Sequence, residues 1–227
     1  MTCKFTQNIL KIPNFAVQNM KRLSVTSLVA TIAMAISAST PITGESVVPI
    51  EDLCQYVSKR NPSFDCEIAQ AFDSVGRIYG LRGDIALCQA IVETGWFRYG
   101  DRTAVTSDQH NYCGLGVTAN GNRGCSFDNI ADGVTAMMQH LYAYATDTPL
   151  PEGERPLDPR FNLVTRGCAS SWEDLSGRWA ANPAYADIIL DIYRRLLKES
   201  GIEIPEEKTP KEDVSSDDGI DDNPYFD

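Results

Sequence analysis

Residues 83–97 read GDIALCQAIVETGWF, and this stretch decides the fold because it is apolar on nearly every side until Glu93. A helix that is apolar all round belongs in the centre of a domain. Gly95 follows directly and is a usual residue for ending a helix. Burying a carboxylate at the end of such a helix costs free energy, so the position of Glu93 needs a physical reason.

Apolar periodicity on both sides of this stretch predicts further helices. Asn61-Pro62 stops the first of them, and Asn182 with Pro183 begins the last. The segment between residues 100 and 128 is rich in Gly and Asn and contains Asn120-Gly121, a hairpin turn signal. The sequence therefore predicts a mostly α domain with one small β element. The predicted helices span residues 50–60, 65–80, 83–94, 127–145, 170–180 and 182–200.

The first 44 residues have the layout of a secretory signal, with four basic residues, no acid and an apolar stretch over 23–38. A membrane anchor is the alternative, although the stretch is short for a span. Met20 precedes Lys21-Arg22 and makes a more usual start than Met1, so residues 1–19 read as an upstream extension. We expect an exported protein, extracellular or at the cell wall, with its domain over residues 45–204 and an acidic disordered tail over 205–227.

Six cysteines remain once a signal containing Cys3 is removed, and an even set in an exported protein predicts disulfides. Sequence alone does not choose among the pairings. Metal binding is the alternative, but the chain has no CxxC motif and only two histidines, so we expect neither a metal nor a cofactor. Short loops favour the pairs Cys54–Cys66 and Cys113–Cys125, which leaves Cys88 with Cys168.

The formal net charge is −11, and the last 22 residues carry nine acids against two lysines. An acidic chain has no electrostatic footprint for nucleic acid or for an anionic membrane. We therefore expect a monomer that binds no nucleic acid and that does not stay on a membrane after signal cleavage.

Glu93 has two interpretations. In the first it pairs with an arginine, either Arg98 or Arg82, and merely closes the helix. In the second, apolar walls raise the pKa of the carboxyl, which is what a general acid near neutral pH requires. Glycoside cleavage is the reaction that most often uses such an acid, and Trp96 beside it offers a flat face for a sugar ring.

Four blocks, RGDIALCQAIVETGWFRYG, HNYCGLGV, SFDNIADGVTAMMQHLYAYA and RWAANPAYADIILDIYRRL, occur in this order within residues 63–198. Together they resemble the bacterial glucosaminidase-domain family, glycoside hydrolase family 73. The resemblance implies a lysozyme-like α+β fold with a helical lobe and a small, short β-hairpin lobe. It also implies that the partner is a peptidoglycan glycan strand, cut at the β-1,4 bond between N-acetylglucosamine and N-acetylmuramic acid.

The resemblance also implies roles for individual residues. Glu93 matches the catalytic glutamate of the family, and Tyr185 matches the tyrosine that supports catalysis. Asn111 and Tyr112 in HNYCG match the loop that lines the cleft and binds substrate. The alternatives are that Tyr185 simply packs near a helix start and that Asn111 caps a turn.

One feature departs from the family pattern. Several members carry a second carboxylate on a long β-hairpin, but here the corresponding segment, 116–127, is short and contains no Asp or Glu. Asp108, Asp128 or the N-acetyl group of the substrate could take that role, and the stereochemical outcome stays open. A muramidase, a lytic transglycosylase, a glycoprotein endo-glucosaminidase and an inactive glycan-binding module are the alternative functions.

Overall fold

The computed structural model describes residues 39–100, 103–118 and 121–203, so most of the predicted signal and all of the predicted tail lie outside the described residues. Within these ranges the chain is mostly helical with one antiparallel two-stranded sheet, which confirms the predicted mostly α, lysozyme-like class. The helices are α1 (Ile50–Ser58), α2 (Cys66–Tyr79), α3 (Gly83–Thr94), α4 (Ile130–Ala145) and α5 (Tyr185–Glu199), and the strands are β1 (Val117–Thr118) and β2 (Asn122–Arg123).

Helix α3 lies at the centre of the fold, as its composition predicts. Every residue from Gly83 to Ile91 is buried. The helix packs against both α2 and α5, and α4 packs against α2. Because α3 has no polar face to present to water, surrounding it with helices is the arrangement that buries its apolar surface.

Local signals set the ends of the neighbouring helices. The Asp65 carboxylate accepts a hydrogen bond from the Glu67 N–H at the start of α2, and Gly80 ends that helix in the left-handed conformation with φ 62°. At the start of α4 the Asn129 side chain accepts from the Asp132 N–H. Each contact satisfies a backbone group that the helix itself leaves unpaired.

Residues 170–180 do not form the predicted helix. Only Glu173–Leu175 makes a single 3-10 turn, and Gly177, with φ 78°, takes the backbone out of the helical path. The Asp174 carboxylate accepts hydrogen bonds from the backbone N–H and the hydroxyl of Ser171. Side-chain hydrogen bonds of this kind compete with helical backbone pairing, and here they prevail.

The last helix also begins later than predicted. The Asn182 side chain accepts a hydrogen bond from the Ala184 N–H, but this contact forms a turn, and α5 starts at Tyr185. None of the helices in the described ranges has both the length and the apolar character needed to cross a membrane.

Residues just before the predicted boundary at residue 45 pack on the rest of the domain. Ile42 is fully buried. Its N–H donates to the Ser170 carbonyl at 3.1 Å, and its own carbonyl accepts from the Arg82 N–H at 2.9 Å. Residues 40–44 therefore belong to the folded domain, although their small and polar composition resembles the region around a signal cleavage site.

One of the three favoured cysteine pairs is present. Cys54 and Cys66 form a disulfide that joins α1 to the start of α2. The prediction of two further disulfides is corrected, because Cys113 and Cys125, like the remaining pair, are free thiols.

Cys88 and Cys168 lie in different surroundings. Cys88 is fully buried within α3, where burial raises the pKa of its thiol. Cys168 is placed beside α4 by backbone hydrogen bonds that join its neighbours Gly167 and Ala169 to the end of that helix. This pair was expected only because the two short-loop pairs left these cysteines over, and that elimination carries no information about their packing positions.

Candidate active site

Glu93 lies in the last turn of α3, directly before a left-handed stretch of backbone. Gly95, Trp96 and Phe97 have φ of 58°, 61° and 58°. This conformation is unfavourable for residues other than glycine, and such strain clusters at functional sites. The Asn61 amide holds the stretch by donating to the Trp96 and Phe97 carbonyl oxygens at 3.0 and 3.3 Å.

Two neutral donors converge on one oxygen of Glu93. The Tyr185 hydroxyl donates to Oε1, and the Trp179 indole N–H donates to the same atom at 3.0 Å. The second oxygen, Oε2, makes no hydrogen bond within the described part of the chain, and it is not among the buried atoms that lack a partner. Because Oε1 already accepts two hydrogen bonds, a proton on this carboxyl belongs on Oε2.

Among the described residues no cation pairs with Glu93. Arg82 pairs instead with Asp84 at 2.9 Å, and Arg98 donates to the backbone carbonyl of Arg60. The interpretation in which Glu93 closes the helix as the partner of Arg82 or Arg98 is therefore wrong. The described ranges also contain no group of three or more His, Cys, Asp or Glu side chains that could hold a metal ion.

Burial raises the pKa of Glu93 above the ordinary glutamate value, and the hydrogen bonds from Tyr185 and Trp179 oppose this shift without cancelling it. Burial acts in this direction because it disfavours the ionised carboxylate. The side chain is nonetheless only partly hidden from solvent. A carboxyl in these surroundings keeps its proton to higher pH than an exposed one and can act as a general acid.

Gln89 orients the tyrosine that contacts Glu93. Its Nε2 donates to the Tyr185 hydroxyl oxygen at 2.9 Å, so the hydroxyl proton points to Glu93. Burial and the Glu93 charge raise the pKa of Tyr185 well above its usual range, which keeps it a donor. The Gln89 Oε1 atom is buried and has no partner among the described residues.

The Asn111 side chain holds its loop from the inside and is fully buried. Its Nδ2 donates to the Leu115 and Cys125 carbonyls at 3.0 Å each, and its Oδ1 accepts from the Leu115 N–H at 2.9 Å. The amide is thus fully used within the loop, and a contact of this side chain with substrate stays a prediction. It also joins the two segments that carry Cys113 and Cys125 without a disulfide.

The two aromatic side chains that were predicted to contact substrate, Tyr112 and Trp96, differ in solvent exposure. Tyr112 is 2% exposed and packs on Phe72 and Phe97 with ring centroids 6.2 and 6.1 Å away. It packs as a core residue, and its contact with substrate stays a prediction. Trp96 is partly exposed and packs on Tyr56 at 5.7 Å, and its contact with a sugar stays a prediction.

The candidates for a second carboxylate lie at the surface. Asp108 and Asp128 are both exposed, and neither makes a hydrogen bond to Glu93 or Tyr185 in the described part of the chain. A hydrogen bond from Thr106 holds the pKa of Asp108 below its usual value. A catalytic role for Asp128 stays a prediction.

The sequence reasoning brought forward Tyr185 but missed Trp179 and Gln89. A signal for Gln89 was available, because it precedes Glu93 by one helical turn and so shares its face of α3. No local pattern marks Trp179, which lies 86 residues from Glu93 along the chain.

Comparison with known proteins places this site within a described family. Residues 69–198 match the model of the glucosaminidase family, described as mannosyl-glycoprotein endo-beta-N-acetylglucosaminidase. The chain is also 35% identical over 176 residues to an uncharacterized protein of Borreliella burgdorferi, an alignment that covers 72% of this chain and 84% of that protein. No solved structure matches the chain. The family match includes Glu93, Trp179 and Tyr185.

Proposed function

Because the chain belongs to the glucosaminidase family and is a glycoside hydrolase, we propose that it cuts the β-1,4 bond after N-acetylglucosamine in peptidoglycan, with Glu93 as the general acid. The observation that carries this proposal is the environment of Glu93. The carboxyl has a raised pKa, two neutral donors on Oε1 and a second oxygen without a protein partner among the described residues.

The chemistry follows from that environment. The proton on Oε2 passes to the glycosidic oxygen as its bond to the anomeric carbon breaks, which prevents a poor alkoxide leaving group from forming. Tyr185 and Trp179 then donate to the carboxylate that remains, so the new charge is stabilised where it develops.

Analysis of the digestion products tests the proposal. Purified sacculi are digested, reduced with borohydride and examined by mass spectrometry, with Glu93→Gln protein as the matched control. We expect reduced N-acetylglucosamine ends from the wild type only. Reduced muramic ends would indicate a muramidase, and anhydro ends a transglycosylase.

Two further outcomes would replace the proposal. Binding to sacculi without release of soluble sugar would indicate a glycan-binding module. Release of glycans from a mannose-rich glycoprotein, with intact sacculi left uncut, would instead favour a mannosyl-glycoprotein endo-beta-N-acetylglucosaminidase, as the family is described.

We also propose that the protein acts outside the cytoplasm, in the cell wall or beyond it. Its substrate class is extracellular, and the Cys54–Cys66 disulfide suits an oxidising compartment. Mass analysis of the mature protein tests this proposal, because a cut before the buried Ile42 would leave the folded domain intact.

A further inference from the structure

A proton donor alone does not complete the hydrolysis of a glycoside, because the attacking water must also lose a proton. Asp108 and Asp128 are exposed and make no contact with the Glu93 carboxyl in the described part of the chain. The segment that carries the second acid in several family members contains none here. The structure places a different titratable pair beside the site.

His140 and Asp158 form this pair. His140 Nδ1 lies 2.7 Å from Asp158 Oδ2, and the Asp158 side chain is fully buried while that of His140 is 12% exposed. The Nε2 atom of His140 makes no hydrogen bond within the described ranges and is not among the buried atoms without a partner. A carboxylate on Nδ1 fixes the proton there and leaves the Nε2 lone pair available to accept another.

Several hydrogen bonds fix the position of Asp158 in this pair. The Gln139 side-chain oxygen accepts from the Asp158 and Leu157 N–H groups at 2.9 and 2.7 Å. The second Asp158 oxygen accepts from the Arg160 N–H at 2.7 Å. This network fixes the direction from which Asp158 approaches His140, so the imidazole is oriented as well.

One aromatic ring connects the pair to Glu93. The His140 ring packs against Trp179 with centroids 5.0 Å apart, and the same indole donates to Glu93 Oε1 at 3.0 Å. In glycosidases that invert configuration, acid and base are about 6.5–9.5 Å apart, which is the room that a water requires. Here the Trp179 ring contacts both His140 and Glu93.

We propose that His140, oriented by Asp158, is the general base that activates the attacking water in this enzyme. The proposal rests on Glu93 as the general acid. The water proton passes to His140 Nε2 as the water oxygen bonds to C1 of N-acetylglucosamine. The C1–O4 bond breaks, and the Glu93 proton passes to the departing O4. Solvent then takes the proton from His140 and returns one to Glu93, so the net change is the addition of one water across the bond.

A purely structural role is the competing explanation, because the same contact fastens the 155–160 segment to α4. The anomeric configuration of the first product tests whether water attacks directly, and substitution of His140 tests whether this residue activates that water. Direct attack by an activated water inverts the β-linkage and releases the α-anomer, whereas assistance by the substrate N-acetyl group retains the β-anomer.

The experiment follows solubilised glycan strands by proton NMR before mutarotation, using the full chain. We expect the wild type to release the α-anomer first. We expect His140→Gln, which can still donate to Asp158, to lose about 10²–10⁴-fold in kcat with an unchanged melting temperature. Azide added to His140→Ala should restore turnover and yield an α-glycosyl azide. His110→Asn, at the other histidine, is the matched control and should retain activity.

A β-anomer from the wild type, or full activity of His140→Gln, would overturn the role of His140 and leave Glu93 as the acid. If His140→Gln fails to fold, a β-anomer from the wild type would still overturn the role of His140. Wild-type protein that releases no sugar would instead overturn the proposed function itself.

Discussion

The two acidic residues of α3, one at each end of the helix, differ in the charge of the groups that donate hydrogen bonds to them. Asp84 in the first turn is fully buried and paired with a cation. Glu93 in the last turn is largely buried as well, but its donors are neutral. Asp84 loses its contact with water and Glu93 loses most of it, so both need compensation, and only Asp84 receives it in full.

Asp84 is compensated on every side. Arg82 donates to its two oxygens at 3.0 and 2.9 Å, a bidentate pair. The N–H groups of Val47 and Ile85 and the hydroxyl of Tyr193 donate to the same carboxylate. The helix dipole at this end also favours a negative charge. Asp84 is thus a structural ion.

Glu93 lies at the opposite end, where the same dipole opposes a negative charge. Its raised pKa follows from burial that its two donors do not offset. The comparison teaches that one apolar helix can hold a carboxylate in an ion pair at one end and another, with only neutral donors and a raised pKa, at the other.

Removing the acid proton should have the largest effect. In Glu93→Gln the side-chain oxygen can still accept from Tyr185 and Trp179, but the amide has no acid proton to donate. We expect sugar release from sacculi to fall by about 10²–10⁴-fold or more with the fold intact. Glu51→Gln, at an exposed acid of α1, is the control; equal activity in the two variants would contradict the contrast within α3.

Breaking the structural ion pair should affect stability rather than chemistry. Asp84→Asn leaves Arg82, whose side chain is 15% exposed, without a countercharge. We expect the free energy of unfolding in urea to fall by about 3–5 kcal/mol. Asp191→Asn, which breaks exposed pairs with Arg194 and Arg195, should change it by no more than about 1 kcal/mol per pair. Similar losses in both variants would show that burial does not distinguish the pairs.

Removing one of the two hydrogen-bond donors to Glu93 should shift the pH dependence of kcat/KM. The hydrogen bond from Tyr185 stabilises the ionised form of Glu93, so Tyr185→Phe should raise the pKa of Glu93 further. A general acid is active while protonated, and the alkaline limb of kcat/KM should therefore move to higher pH. The variant also leaves Gln89 Nε2 without its acceptor, which costs about 1–3 kcal/mol of stability.

Tyr144→Phe is the control for that shift, because the Tyr144 hydroxyl donates to the Arg178 carbonyl and makes no hydrogen bond to Glu93 in the described part of the chain. An alkaline limb that moves to lower pH in Tyr185→Phe would mean that the hydroxyl stabilises the protonated acid instead.

The smallest expected effect is a gain in folding stability when Gln replaces Glu93. A raised carboxyl pKa means that the folded state binds more protons than the unfolded state, so stability falls as the pH rises through the folded pKa. Glu93→Gln should therefore be more stable than wild type at pH 7, by on the order of 1 kcal/mol. The difference should close as the pH falls below the ordinary glutamate value of 4.5. Melting temperatures that differ equally at both pH values would contradict this linkage.

The helices could be predicted where their signals are local. Asp65 and Gly80 mark the ends of α2 in the sequence, and the apolar run of α3 marks its central position. The stretch around Trp179 was predicted as a helix because its apolar spacing is helical, but the hydrogen bonds between Ser171 and Asp174 compete with the backbone.

The candidate site was predictable in part for the same reason. Glu93 stands out because a charged residue interrupts an apolar run, and the order of residues along the chain is enough to show that contrast. For Asn111 and Tyr112 the sequence did not show that both side chains are buried, because a polar or aromatic residue in a loop can face either way.

The sequence by itself determined that α3 is the buried centre of a mostly helical domain and that Glu93 is its anomalous charge, since periodicity and composition are properties of neighbouring residues. Only the tertiary structure decided that Tyr185 and Trp179, rather than Arg82 or Arg98, meet this carboxyl. The physical reason is that the pKa of a side chain depends on which distant groups the packing of helices brings within a few ångströms, and the local pattern does not encode that packing.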